Sequence, residues 1–105
     1  MALHHVAPGE RFRLASVKEA DAKTAALVKT DAFEVAQLVL RKGGRIAPHS
    51  VPGHAIIHCL EGEVLVEAAE PLQLSAGHSV YLDRGEAHSV TAREDSSLLV
   101  TILFD

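Results

Sequence analysis

The sequence predicts an all-β fold, and three features of the chain indicate this class. From about residue 26 onward, short apolar and β-branched runs alternate with Gly, Pro and Asp turn signals. The Glu61-Gly62 pair stands between two apolar runs, which is typical of a hairpin whose glycine takes a positive φ. The 48% of hydrophobic residues, against 23% charged, indicates a packed core. A β-sandwich and a barrel both fit, because both bury alternating faces around one core.

The individual elements follow in chain order. Residues 16–24 begin with a serine suited to capping and continue with good helix formers, so the sequence leaves open one short N-terminal helix. Residues 26–40 predict two strands around a turn at Thr30 and Asp31, and residues 41–44 turn the chain again. Further short strands are predicted over residues 56–60, 64–67, 80–82, 89–92 and 98–103.

Length and charge restrict the domain organisation and the partners. A chain of 105 residues is long enough for one core and short for two, so we expect a single domain over residues 1–105. The net charge is −4, and the basic residues form no extended cluster. Nucleic acid is therefore not an expected partner.

The location of the protein is predicted from its hydrophobic segments. No apolar run approaches the roughly 18 residues that cross a bilayer, and the first ten residues lack a basic segment followed by an apolar one. We therefore expect a cytoplasmic protein with no membrane partner. The single cysteine, Cys59, lies in an apolar stretch, where it is expected to pack as a small buried hydrophobe.

Two glycine-punctuated segments each supply one histidine. Residues 43–62 (GGRIAPHSVPGHAIIHCLEG) contain His49, and residues 77–88 (GHSVYLDRGEAH) contain His88. The spacing resembles the two motifs of the cupin superfamily, which hold a metal through two histidines and a glutamate of the first motif and a histidine of the second. The resemblance covers roughly residues 33–104 and implies a double-stranded β-helix, or jelly-roll barrel, of the small RmlC-like, cupin type-2 kind. The final run EDSSLLVTILF is similar to the last strand of small one-domain members that have no settled activity.

Half of the metal ligands that this resemblance implies are missing. Val51 stands where the family has its second histidine, and Ala55 stands where it has its glutamate. The other motif positions fall on Gly43, His49, Gly62, Gly77, Asp83, Gly85, His88 and Ala92. The resemblance therefore implies a pocket centred on His49 and His88 with a degenerate metal motif.

A metal held there would need a third donor from elsewhere in the chain. If Ala55 faces inward, strand alternation turns Ile57 and Cys59 inward and His58 outward. His54 is predicted to lie in a loop from which it can reach the pocket near His49. The candidates for a third donor are His54, His58, His78 and Gln37.

Two functions of this pocket stay open at the level of sequence. In the first, Val51 and Ala55 make the pocket larger and drier, and it binds a small molecule with His49, His88 and Tyr81 as polar groups. In the second, the protein is a metal-dependent enzyme of the oxygenase or isomerase type that binds a divalent transition metal through His49, His88 and His54. With two of the implied ligands replaced, the metal is expected to be weakly held or absent. No catalytic residue is assigned. We also expect a homodimer, because outer strand surfaces such as residues 98–104 can pair with a second copy.

Overall fold

A computed structural model describes residues 5–104 of the chain. Within these residues the backbone forms nine strands and no helix, which confirms the all-β prediction. No helix that could span a membrane occurs in this part of the chain. The strands are β1 (Ala25–Lys29), β2 (Phe33–Leu40), β3 (Arg45–His49), β4 (Gly53–Glu61), β5 (Glu63–Glu67), β6 (Pro71–Ser75), β7 (Ser79–Leu82), β8 (His88–Ala92) and β9 (Ser96–Phe104).

The strands form two antiparallel sheets around a shared core. One sheet has the order β1-β2-β9-β4-β7, and the other has the order β3-β8-β5-β6. Neighbours in each sheet are mostly distant in sequence, as expected for a jelly roll, and the jelly-roll prediction is confirmed. The structure describes one chain, so the expected homodimer stays a prediction.

Two strands lie outside the runs that the sequence predicts as strands. β3 has one half-buried hydrophobic residue, Ile46, and β6 has one buried residue, Leu74, while most of their other residues are exposed. Each strand also contains a proline, Pro48 or Pro71. A mostly exposed strand with a proline lacks the apolar alternation that sequence patterns detect, and pairing with β8 and β5 establishes these two strands instead.

The helix left open over residues 16–24 does not form, and hydrogen-bonded turns take its place. The Glu19 N–H donates to the Ser16 carbonyl at 3.0 Å, an i to i+3 contact. The Arg41 guanidinium donates to the carbonyls of Val17 at 2.5 Å and of Glu19 at 3.1 Å, and so occupies acceptors that a helix would use. A helix of two turns gains little from its own hydrogen bonds, so contacts with the barrel decide this conformation.

Glu61, at the end of β4, fastens the segment around Ser16 to the barrel. Its carboxylate accepts hydrogen bonds from the Val17 N–H, the Ser16 hydroxyl and the buried Ser97 hydroxyl, each at 2.8 Å. The Val17 hydrogen bond is the largest cause that lowers the pKa of Glu61 below its ordinary value of 4.5, although burial opposes it. The ionised form is therefore the one that the folded protein stabilises.

Glu61 is expected to make the protein less stable in acid. Because its pKa is lower in the folded state, its contribution is complete above about pH 4.5 and is lost as the pH falls through the folded pKa. Glu61→Gln should lower the free energy of unfolding at pH 7 by about 1 kcal/mol and weaken its pH dependence. Urea unfolding at pH 7 and pH 4 measures this, with the exposed Glu67→Gln as the control. An unchanged pH dependence in Glu61→Gln would contradict the assignment.

Candidate functional site

The two motif histidines come together where β3 pairs with β8. His49 is the last residue of β3, His88 is the first of β8, and the two are register partners across the strand pair. Their ring centroids are 4.4 Å apart, and the ring planes are tilted by 54°. His88 is 6% exposed, whereas His49 is exposed on the rim. The convergence of these two imidazoles, which the motif spacing predicts, is present in the structure.

Each imidazole is oriented by a backbone carbonyl two residues before it. His49 Nδ1 lies 3.1 Å from the Ala47 oxygen, and His88 Nδ1 lies 3.1 Å from the Glu86 oxygen. A carbonyl oxygen only accepts, so Nδ1 is the protonated nitrogen in both rings. In the neutral ring, Nε2 is then the atom with a free lone pair. The pair therefore offers two hydrogen-bond acceptors with assigned tautomers.

The two rings line a cavity of about 250 Å³ between the sheets. The cavity exists because small side chains, Ala36 and Ala55, occupy inward positions on β2 and β4 where larger residues would meet. Val51 and Ala55, both predicted to line the pocket, do line it. The lining residues are Glu34, Ala36, Leu38, Ile46, His49, Val51, Ala55, Ile57, His88, Val90, Val100 and Ile102.

Tyr81 does not line this cavity. It pairs with Ile56 across β4 and β7, and both residues face outward because their neighbours Ala55 and Leu82 are buried. Tyr81 is 59% exposed, and its hydroxyl donates to Asp83 at 3.2 Å. The prediction that Tyr81 supplies a polar group to the pocket is therefore not met.

His54 also lies on the outer face, away from His49 and His88. It is the second residue of β4 and not a loop residue, so alternation places it opposite Ala55. Its Nδ1 lies 2.8 Å from the Tyr81 hydroxyl and 3.5 Å from an Asp83 oxygen. The Arg84 N–H, followed by the Tyr81 hydroxyl, lowers the pKa of Asp83. His54 belongs to this surface cluster and does not join the two motif histidines.

The other candidate third donors are engaged elsewhere. His58 faces outward as predicted, with Nδ1 2.8 Å from the Ser79 hydroxyl. His78 is exposed in the turn before β7. The Gln37 amide bonds the backbone of Ala15 on the outer face, donating to its carbonyl at 2.7 Å and accepting from its N–H at 3.0 Å.

The donor set does not suit a resident transition metal. Among residues 5–104, no group of three or more His, Cys, Asp or Glu side chains is arranged to hold a metal ion. His49 and His88 supply two nitrogen donors, and within the described residues no third His, Cys, Asp or Glu side chain completes a metal-binding group with them, whereas a protein metal site usually supplies three or four ligands. Cys59 is not an additional candidate, because it is fully buried and burial raises the pKa of its thiol.

One lining residue, Glu34, was missed by the sequence analysis. Glu34 shares the inward face of β2 with Ala36 and Leu38. It lies level with Ala55, because both residues pair with Ile102 of β9. Its side chain is 24% exposed, and the Lys29 ammonium lies 3.8 Å from its carboxylate. A lone carboxylate in the apolar alternation of β2 is the signal that could have indicated it.

Comparison with known proteins identifies the family of the chain. A family model of the cupin domain matches residues 36–104, about two thirds of the chain. The chain belongs to the cupin family. No curated protein matches the sequence.

Several solved structures share the fold of the chain at low sequence identity. A conserved protein of unknown function from Streptococcus pyogenes is 20% identical with a TM-score of 0.80, covering 100% of this chain and 98% of that one. A cupin superfamily protein from Desulfitobacterium hafniense is 15% identical with a TM-score of 0.80, covering 100% of both chains. An RmlC-like cupin from Desulfovibrio desulfuricans is 22% identical with a TM-score of 0.70, covering 98% and 96%. At these identities the likeness shows the fold of this cupin alone.

Proposed function

We propose that this cupin binds a small, mainly apolar molecule in the cavity between its sheets. The observation that carries the proposal is a pocket with apolar walls and two oriented imidazoles at one end. A few placed polar groups in an apolar pocket are typical of small-molecule sites. The walls supply binding free energy through burial, and the imidazoles orient the polar end of the ligand.

The size of the cavity restricts the ligand. About 250 Å³ is less than the roughly 300–1,000 Å³ of pockets that hold drug-sized molecules, so the ligand is a compact metabolite-like compound. The substitutions in the first motif support the same function. Val51 and Ala55 present apolar surface where the family resemblance implies metal ligands.

The accepting Nε2 atoms of His49 and His88 are the groups expected to contact the polar end of the ligand. Each ring already donates its Nδ1 proton to a carbonyl, so its position is set before the ligand arrives. Such preorganisation reduces the entropy that binding costs. We propose that His88, which is buried, contributes more to affinity than His49, which is exposed on the rim.

Filling the cavity is expected to abolish binding. Ala55→Leu places three additional carbon atoms in the cavity, whereas Ala76→Leu adds the same atoms on an exposed turn. A compound present at about 100 times its Kd stabilises the folded state by about 2.7 kcal/mol. For a domain of this size that corresponds to a rise in Tm of roughly 10 °C or more.

The measurement is thermal unfolding by circular dichroism across a library of compact metabolites. At least one compound should raise the Tm of the native protein and of Ala76→Leu, and should leave Ala55→Leu unchanged. Unliganded scans establish that Ala55→Leu is folded. His88→Ala, which leaves the cavity open, should weaken binding of the same compound. The proposal fails if no compound stabilises the native protein, or if Ala55→Leu is stabilised equally.

A further inference from the structure

The polar groups of the cavity all lie at one end of the barrel. Glu34 is the second residue of β2, His49 ends β3 and His88 begins β8. Three residues separate His49 from Gly53, the first residue of β4. Gly53 pairs with Phe104 at the end of β9, and the end of β9 also pairs with the start of β2. These three side chains therefore surround the same mouth, while Leu38, Ile57 and Val90 line the apolar interior.

Each of these polar groups accepts hydrogen bonds. Nδ1 of both imidazoles is committed to a backbone carbonyl, which leaves Nε2 as an acceptor in the neutral ring. The Glu34 carboxylate is an acceptor with a negative charge. Within the described residues its ion-pair partner is Lys29, at 3.8 Å on a side chain that is 60% exposed, and such a surface pair is weak. The mouth therefore presents acceptors and one negative charge to a ligand.

We infer that the ligand is a small primary amine whose ammonium group lies at this mouth and whose hydrocarbon body fills the cavity. This inference rests on the binding function proposed above and specifies its ligand class. Glu34 is the residue that selects the charged head group, and His49 and His88 accept its remaining N–H bonds. An ammonium group has three donors and no acceptor, which matches three acceptors around one opening.

The three groups do not form a metal site. Among the residues that the structure describes, Glu34, His49 and His88 are not part of any group that could hold a metal ion. Bonds from imidazole nitrogen to a transition metal are about 2.1 Å long, whereas charge-assisted N–H···O hydrogen bonds are about 2.8 Å long. An ammonium group therefore requires a less close approach of its acceptors than a metal ion does.

The charge at the mouth disfavours a carboxylic acid ligand. A ligand carboxylate would meet the Glu34 carboxylate at the entrance, and like charges in a half-buried site repel each other. The accepting Nε2 atoms would offer it no hydrogen in their neutral form. An alcohol fits the histidines but gains no ionic contact with Glu34. The expected order of affinity is amine, then alcohol, then acid.

Three probes with one hydrocarbon skeleton test this order: cyclohexylmethylamine, cyclohexylmethanol and cyclohexanecarboxylate. Isothermal titration calorimetry at pH 7 is expected to show the amine binding about ten times more tightly than the alcohol, because a charged hydrogen-bond partner is worth that much. Glu34→Gln should remove this preference and leave the affinity for the alcohol within about twofold of the native value. Glu94→Gln, which removes one negative charge from the exposed β8–β9 turn, should keep the preference.

The outcomes separate this inference from the proposed function. Equal affinity for amine and alcohol, tightest binding of the acid, or an amine preference that survives in Glu34→Gln would overturn the ammonium assignment. After any of these results, the proposed binding in the cavity still stands if the probes bind the native protein and do not bind Ala55→Leu. If none of the three probes binds, the amine inference is wrong, and the metabolite library then decides whether the cavity binds anything else.

Discussion

Replacing Gly62 with alanine is expected to lower the free energy of unfolding by about 2–5 kcal/mol, a large part of the stability of a small domain. Gly62 turns the chain between β4 and β5 with φ at +82°, a left-handed conformation that costs other residues roughly 1–2 kcal/mol. A methyl group there would also collide with the Ser96 hydroxyl and the Asp95 carbonyl, which adds roughly 1–3 kcal/mol of overpacking.

The Ser96 hydroxyl cannot easily move out of the way. It is fully buried, accepts from the Glu63 N–H at 3.0 Å and lies 2.7 Å from the Glu94 carbonyl. Moving it would leave buried polar groups without partners, which is costly. The collision is therefore expected to distort the β4–β5 turn and the start of β9 together.

Gly77→Ala is the matched control for this prediction. Gly77 has a φ of +90°, and a methyl group added to it would meet nothing within 4 Å, so only the conformational cost of about 1–2 kcal/mol applies. The chain has no tryptophan, so urea unfolding is best followed by far-UV circular dichroism. Equal losses in the two variants would show that the contacts around Gly62 contribute nothing beyond its backbone conformation.

Leu98→Ala is expected to cost about 2–5 kcal/mol through loss of core packing. Leu98 is 0% exposed on β9, between its register partners Leu38 on β2 and Cys59 on β4. β9 is the central strand of the five-stranded sheet, so neighbours on both sides limit how far the structure can relax. The residual cavity then adds to the lost transfer free energy.

Leu72→Ala removes the same atoms from a different environment. Leu72 is 42% exposed on β6, an edge strand, and its truncation should cost less than about 1 kcal/mol. Urea unfolding with an unchanged m-value gives both numbers. A loss in Leu98→Ala no larger than that in Leu72→Ala would mean that the core relaxes completely around the shortened side chain.

Much of the site was predictable because motif spacing encodes strand ends and turns. Gly62 has a positive φ in the structure, as the predicted hairpin requires, and His49 and His88 meet across β3 and β8. Alternation along β4 also predicts that Ile57 and Cys59 are buried while His58 faces outward. The turn at Gly62 and the alternation along β4 depend on local geometry, whereas the meeting of His49 and His88 is what the resemblance to the two cupin motifs implies.

The placements of His54 and Tyr81 differ from those predicted, because they depend on where strands begin and on how distant strands pair. β4 begins at Gly53 and not near residue 56, so His54 obeys alternation and faces outward. Tyr81 faces outward because its register with Ile56 is set by the pairing of β4 with β7. Neither register can be derived from one segment alone, because a shift by one residue reverses every side chain.

The sequence by itself determined the all-β class, the cupin spacing, and the replacement of two implied metal ligands by Val51 and Ala55, since all three depend on residue type and local order. Only the tertiary structure decided that the N-terminal segment forms turns held by Glu61 and Arg41, and that Glu34 joins the two histidines at one mouth. The physical reason is that these arrangements require closure of the barrel, which brings β2 beside β9 and faces it toward β3 and β8.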